Sequence, residues 1–131
     1  MPLDDPLTGN LIQVTRRLTH VPSGTVLAER VRWARSVASR ARGLIGAPLG
    51  PAEALILQPG KQVHSFFMKS PIDVVFCDAE WRVLHVVSPL DPWRISKWVR
   101  GASYAIELPP LAASEVRKGD LLGSVEGSIG P

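Results

Sequence analysis

The stretch His64-Ser65-Phe66-Phe67-Met68-Lys69-Ser70-Pro71-Ile72-Asp73-Val74-Val75-Phe76-Cys77-Asp78 decides how this chain is read. Ile72 to Cys77 is a β-rich run that holds one carboxylate, and Trp81 to Val87 is a second such run. The Asp78-Ala79-Glu80 connection between them has the length of a hairpin with a bulged turn. Pro71 has no amide hydrogen, so a strand must end, bulge or lie at an edge there. If His64 to Met68 is extended, His64, Phe66 and Met68 share one face while Ser65 and Phe67 share the other.

The same signals continue in both directions. Leu11 to Leu18 and Thr25 to Trp33 carry β-branched residues with partial alternation, and Pro22-Ser23-Gly24 between them is turn chemistry. Ala54 to Leu57 is a short apolar strand, Ser103 to Leu108 another, and Leu121 to Val125 the last. Ser36 to Leu44 is the best helix: Ser36 caps it, Ala38 and Ala41 favour it, and Gly43 stops it. Pro109-Pro110 opens a second short helical segment reaching Arg117. The expected fold class is therefore mainly β, a small β-sandwich or jelly-roll-like, partly closed barrel with one or two short helices. Residues 1–10 read as a flexible arm, 11–125 as a single β-rich domain and 126–131 as a tail.

Composition narrows the function classes. The chain has 131 residues, 45% of them hydrophobic and 21% charged, enough for one domain with its own core. Twelve prolines and eleven glycines favour short strands over long helices. The net charge of +3 is too small to single out nucleic acid as the partner. Cys77, the single cysteine, cannot form an internal disulfide and reads as a buried small hydrophobe. Met1 to Asn10 lacks a basic stretch followed by an apolar one, and no window approaches the ~18 apolar residues of a membrane span. The expected location is cytoplasmic, or envelope-associated if the N-terminus has been trimmed.

Two groups of residues are candidates for function. The first is polar residues in apolar company. Asp73 and Glu107 lie in apolar strands, where an unpaired charge is costly. They suit either an acid/base pair or separate ion pairs with arginines such as Arg35 or Arg42. His64 and Met68 on one strand would stand about 13 Å apart, too far to share an ion. No paired-cysteine or His-Glu-x-x-His spacing supports a metal, and no metal or other cofactor is expected. His85, between Val83 and Val87, reads as a hydrogen-bonded or half-exposed core histidine. The second group is the loop from Ser88 to Gly101, in which Trp93 and Trp98 alternate with Arg94, Lys97 and Arg100. That mixture suits a protein hot spot, single-stranded nucleic acid or an anionic membrane surface. A long loop pinned to the core by its tryptophans is the plainer reading.

The segments Arg40-Ala41-Arg42-Gly43-Leu44-Ile45-Gly46, His64 to Phe76, Tyr104-Ala105-Ile106-Glu107-Leu108-Pro109 and Lys118-Gly119-Asp120 carry a resemblance. In order and spacing, over roughly residues 26 to 122, the chain resembles the domain-of-unknown-function 192 family of small prokaryotic domains. The resemblance implies a mainly β sandwich or jelly-roll-like barrel with a short helix, and it brings no mechanism. Many such relatives look exported or envelope-associated. A glycine usual after the last strand pair is replaced here by Pro110. Carried over by motif, Arg42, Gly43, His64, Met68, Asp73 and Glu107 form the cluster to watch.

The expected role is that of a binding or accessory domain, not an enzyme, engaging a protein partner through the Trp93–Arg100 loop. The alternatives are a small-ligand or metal-dependent enzyme using His64, Asp73 and Glu107, and, last, nucleic-acid binding.

Overall fold

A computed structural model describes residues 3–4, 11–14, 17–35 and 49–124. Its strands are β1 (Leu3–Asp4), β2 (Leu11–Val14), β3 (Leu18–His20), β4 (Thr25–Ala28), β5 (Arg30–Ala34), β6 (Glu53–Leu57), β7 (Ile72–Cys77), β8 (Val83–Leu90), β9 (Tyr104–Leu108) and β10 (Leu122–Ser124). Seven form one sheet in the order β1-β2-β5-β6-β9-β7-β8, and three form a second in the order β10-β3-β4. All pairs are antiparallel except β5 with β6.

The run Thr25 to Trp33, which reads as one strand, is two. The chain leaves the small sheet after Ala28 and enters the large one at Arg30, with the Glu29 and Arg30 amides both directed at the Ala52 carbonyl. The β7–β8 hairpin forms as its turn chemistry predicts. Asp78 Oδ1 accepts from the Glu80 and Arg82 amides at 2.9 and 3.0 Å, and the register shifts between Phe76 and Cys77.

The large sheet is buried on both faces. Along β6, β7 and β9 every residue is buried. One face packs Val31, Trp33, Ile56, Val75, Ile106 and Leu108 against Leu18, Leu27 and Leu122 of the small sheet. Here Trp81 stacks on Tyr104 with centroids 4.1 Å apart, and Trp33 meets both edge-on. Cys77 lies in this core, its thiol pushed up to about 12 by burial and by Asp78. The other face packs Leu55, Leu57, Val74, Phe76, Leu90 and Ala105 against Val63, Val99 and Ala102, so it is covered by connecting segments. The molecule thus has three layers: small sheet, large sheet and a layer of loops.

Two expectations are corrected. The large sheet is open, ending in β1 and β8, and its parallel β5–β6 pair is foreign to an antiparallel jelly roll, so no barrel closes. No described residue is helical. Pro109 to Arg117 is a run of turns, because Leu111 takes a left-handed φ of 71° and the Ala113 amide is captured by Asp73 Oδ2 at 2.8 Å. The helix expected over Ser36–Leu44 lies outside the described residues. No helix among the described residues is long and apolar enough to cross a membrane.

Gly60 passes so close to β9 that a Cβ would lie 2.2 Å from the Ala105 nitrogen and 2.7 Å from the Leu57 oxygen. Both obstacles are backbone and cannot rotate away. Gly60→Ala is expected to cost at least about 1–3 kcal/mol, the usual overpacking range, measured by urea denaturation.

Candidate functional site

The loop after β8 is not held by its tryptophans. It runs antiparallel to residues 61–65 and is fixed to them by backbone. Trp93 N–H donates to Ser65 O, Ser65 N–H to Arg94 O, Ser96 N–H to Val63 O and Val99 N–H to Lys61 O, all within 3.0 Å, and His64 bridges Ile95. Two buried serines complete the seam. Ser65 Oγ accepts from the Arg94 amide at 2.9 Å and donates to the Asp91 carbonyl. Ser96 Oγ accepts from the Val63 amide at 3.0 Å and donates to Lys97 O at 2.9 Å. The serines point inward, so their neighbours along each segment, His64, Phe66, Ile95 and Lys97, point outward.

That geometry raises an aromatic surface. The His64 ring stacks on Phe66 at 4.8 Å, Phe66 lies 6.1 Å from Trp93, and Phe67 lies 4.7 Å from Trp93. Phe67, Trp93, Ile95 and Trp98 are each more than half exposed. Phe67 and Trp93 both hold left-handed backbone, φ 67° and 61°, which bulky residues seldom adopt. Such strain, of order 1–3 kcal/mol per residue, gathers at functional sites. Arg94, Lys97, Arg100 and Lys69, on the same two segments as these rings, are exposed. Across the two segments 61–71 and 88–101, five Lys or Arg stand against one acid, Asp91.

The polar residues singled out in the sequence do not meet. Asp73 pairs in register with Leu108, whose side chain lies in the core between the sheets. Glu107 pairs with Val74 and Leu55, both in the core under the loops. Paired residues share a face, so the two carboxyls lie on opposite sides of the sheet. His64 is exposed on the aromatic surface, and Met68 is half-buried against the loop-side core. Arg42 and Gly43 lie outside the described residues. Among the described residues, no three His, Cys, Asp or Glu are grouped to hold a metal ion.

Each carboxyl has its own environment. Asp73 is fully buried and its Oδ2 accepts from Ser88 Oγ at 2.7 Å and from the Ala113 amide, so it ties β7 to the turns after β9. Arg35 instead lies 4.1 Å over the Trp33 ring and donates to Gln58. Glu107 is 3% exposed, and its Oε1 has no hydrogen-bond partner among the described residues. Burial pushes its carboxyl up to about 8 against the opposing pull of Arg32. Arg32 lies in the same cross-strand row, two strand spacings or about 10 Å away, and close to Glu53, with Nη2 3.8 Å from Oε1. Half-buried His85 lies 6.0 Å from Phe76, its pKa lowered by burial and then by Lys97 and Lys118.

Sequence reasoning missed Phe66 and Phe67 as partners of Trp93, and the two serines as the pins. The available signal was a pair of small hydroxyl residues in otherwise apolar or basic runs, which fits a buried hydrogen bond to backbone.

Two outcomes follow from this geometry. Ser65→Ala leaves the Arg94 amide without its side-chain acceptor, and is expected to cost about 1–3 kcal/mol and to speed hydrogen exchange in residues 61–65 and 93–99. Folded Glu107 keeps a proton that the unfolded chain releases between its ordinary value of 4.5 and about 8. Its contribution to stability therefore falls as pH rises through that window, by at most about 1.4 kcal/mol per pH unit. Urea denaturation across the window should show this slope flattened in Glu107→Gln.

The family model described as "Uncharacterized ACR", domain of unknown function 192, matches residues 19–123. A UPF0127 protein of Pyrococcus horikoshii is 40% identical over 83 residues, covering 60% of this chain and 71% of that protein. A UPF0127 protein of Thermococcus sibiricus is 32% identical over 97 residues, covering 70% of this chain but only 62% of that protein. Among solved structures, a protein of unknown function from Novosphingobium aromaticivorans aligns with a TM-score of 0.74 at 22% identity, over 94% of this chain and 92% of that one. A putative transcription regulator from Sinorhizobium meliloti aligns with a TM-score of 0.67 at 17% identity, over 87% and 93%. At such identities the likeness shows the fold alone. The family match runs from β3 to β10 and takes in both sheets and the loop layer; the chain belongs to the domain-of-unknown-function 192 family.

Proposed function

We propose that this domain is a binding module that engages a protein partner through the surface formed by His64, Phe66, Phe67, Trp93, Ile95 and Trp98. One observation carries the reading: large apolar side chains are held out into solvent by a backbone seam, at a cost in strain at Phe67 and Trp93. A folded domain gains nothing for its own stability from that arrangement. Contiguous exposed apolar surface with a polar rim marks an interaction site, and aromatic anchors supply most of the energy of such contacts.

The rim gives the partner its chemistry. With Lys69, Arg94, Lys97 and Arg100 exposed on the two segments that carry the rings, the complementary surface presents apolar side chains flanked by Asp or Glu. Opposite charge speeds encounter and rejects basic competitors, while the rings set the lifetime of the complex. Because the seam is preformed, little ordering cost falls on this side of the interface.

Peptide display against the immobilised domain tests the reading. Wild-type protein is expected to enrich acidic, aromatic- or leucine-bearing peptides, and Phe67→Ala/Trp93→Ala/Trp98→Ala to lose them with an unchanged melting temperature. Each lost anchor is expected to weaken binding by about 1–2 kcal/mol or more. Equal enrichment on the triple variant would retire the surface.

A further inference from the structure

On the far side of the large sheet from the aromatic surface, three side chains form a chain of short hydrogen bonds. His20, buried at the end of β3, has Nε2 2.7 Å from Asp120 Oδ2 and Nδ1 2.7 Å from Ser23 Oγ. Asp120 reaches His20 from a turn one hundred residues along the chain and also accepts from the Arg117 amide at 2.8 Å. Those bonds hold its carboxyl below the usual range, so it faces the imidazole as a carboxylate. With Nε2–H donated to Asp120, Nδ1 faces Ser23 Oγ as an acceptor, and the Ser23 hydroxyl, which donates to Thr25 Oγ1, reaches it by turning its one proton from Thr25 to Nδ1.

The surroundings fit a nucleophile. Ser23 is exposed in the turn joining β3 and β4, and its hydroxyl donates to Thr25 Oγ1 at 2.9 Å and accepts from the Thr25 amide at 3.1 Å. The Ser23 amide makes no hydrogen bond among the described residues, which leaves it as a donor for an oxyanion. Beside the chain lies a cavity of about 250 Å³, walled by His20 and Thr25, the two side chains bonded to Ser23 Oγ, with Leu27, Ala112 and Val116 as apolar lining and Glu115 contributing an acid; Ser23 stands next to that wall and not in it.

We infer that Ser23, His20 and Asp120 form a hydrolytic site for neutral, short-chain carboxylic esters, with the acyl group in the cavity. Asp120 orients the ring, His20 is the base and Ser23 the nucleophile, the roles of the serine–histidine–aspartate constellation with the two ring nitrogens exchanged, Nδ1 facing the serine and Nε2 the carboxylate. Ser23 Oγ attacks the ester carbonyl while its proton passes to His20 Nδ1. The tetrahedral adduct collapses with cleavage of the ester C–O bond, and the leaving alkoxide takes that proton and departs as the alcohol. Water then attacks the acyl-Ser23 carbonyl, giving a proton to His20 Nδ1. Expulsion of Ser23 Oγ, which regains that proton, releases the carboxylic acid. Ester and water become acid and alcohol with no other reactant. The carboxylate of Glu115 disfavours acyl groups that are themselves anionic. This site shares no residue with the proposed binding surface, and either stands without the other.

The full chain is treated with a biotinylated alkyl fluorophosphonate, and p-nitrophenyl butyrate turnover is followed in parallel. The expected result is one phosphonyl adduct, mapped to Ser23 by mass spectrometry. Labelling and turnover should be absent in Ser23→Ala, at least tenfold slower in Asp120→Asn, and lost in His20→Gln. Melting curves verify that each variant is folded; Ser23, in an exposed turn, leaves the core untouched, so that comparison stands even if His20→Gln unfolds. No adduct at Ser23, turnover equal to that of Ser23→Ala, or labelling that persists undiminished in folded His20→Gln or Asp120→Asn would overturn the assignment and leave a structural clamp between two turns.

Discussion

Everything in this structure depends on a sheet whose central strands have no solvent face. The strands β6, β9 and β7 are buried throughout, so both sides of the large sheet must be covered. The small sheet covers one side with Leu18, Leu27 and Leu122, the apolar-on-apolar packing that drives folding. The other side falls to connecting segments, and a loop can cover a core only if its backbone polar groups find partners. The antiparallel seam between residues 61–65 and 93–99, with Ser65 and Ser96 inside it, meets that condition.

The surface chemistry follows from the seam. Once the serines and Val63 and Val99 face inward, the alternating positions face out, and in this chain they include His64, Phe66, Trp93 and Ile95. The same layer shields Glu107, whose carboxyl burial pushes up to about 8. Asp73, on the other face, serves a different purpose. It accepts from the Ala113 amide and Ser88, and so fixes the turns that carry Ala113 and Val116 into the inter-sheet core. Two carboxylates that look alike in sequence therefore have separate physical roles, divided by one sheet.

Much of the architecture was legible one element at a time. Ile72 to Cys77, its hairpin partner and Tyr104 to Leu108 declared themselves through β-branched and aromatic runs bounded by turn residues. The Pro22-Ser23-Gly24 turn did the same through its chemistry. Sequence reasoning failed where a long-range contact overrode a local preference. Pro109 to Arg117 has helical composition, but a buried aspartate forty residues away takes the amide a helix would use. Thr25 to Trp33 has unbroken strand composition, but two sheets compete for it and it splits at Glu29.

The candidate surface divides in the same way. The sequence by itself determined the mixture of tryptophan, arginine and lysine between Ser88 and Gly101, the odd polar residues inside apolar strands, and the membership in a family. Those are properties of composition, alternation and order, which are local. Only the tertiary structure decided that the tryptophans face water and the serines hold the loop, that Asp73 and Glu107 lie on opposite faces, and that His20 joins Ser23 to Asp120. Each of these turns on which strand lies beside which, and on the direction a side chain takes once its neighbours are packed. That information resides in contacts between residues up to a hundred positions apart, and no window of sequence contains it.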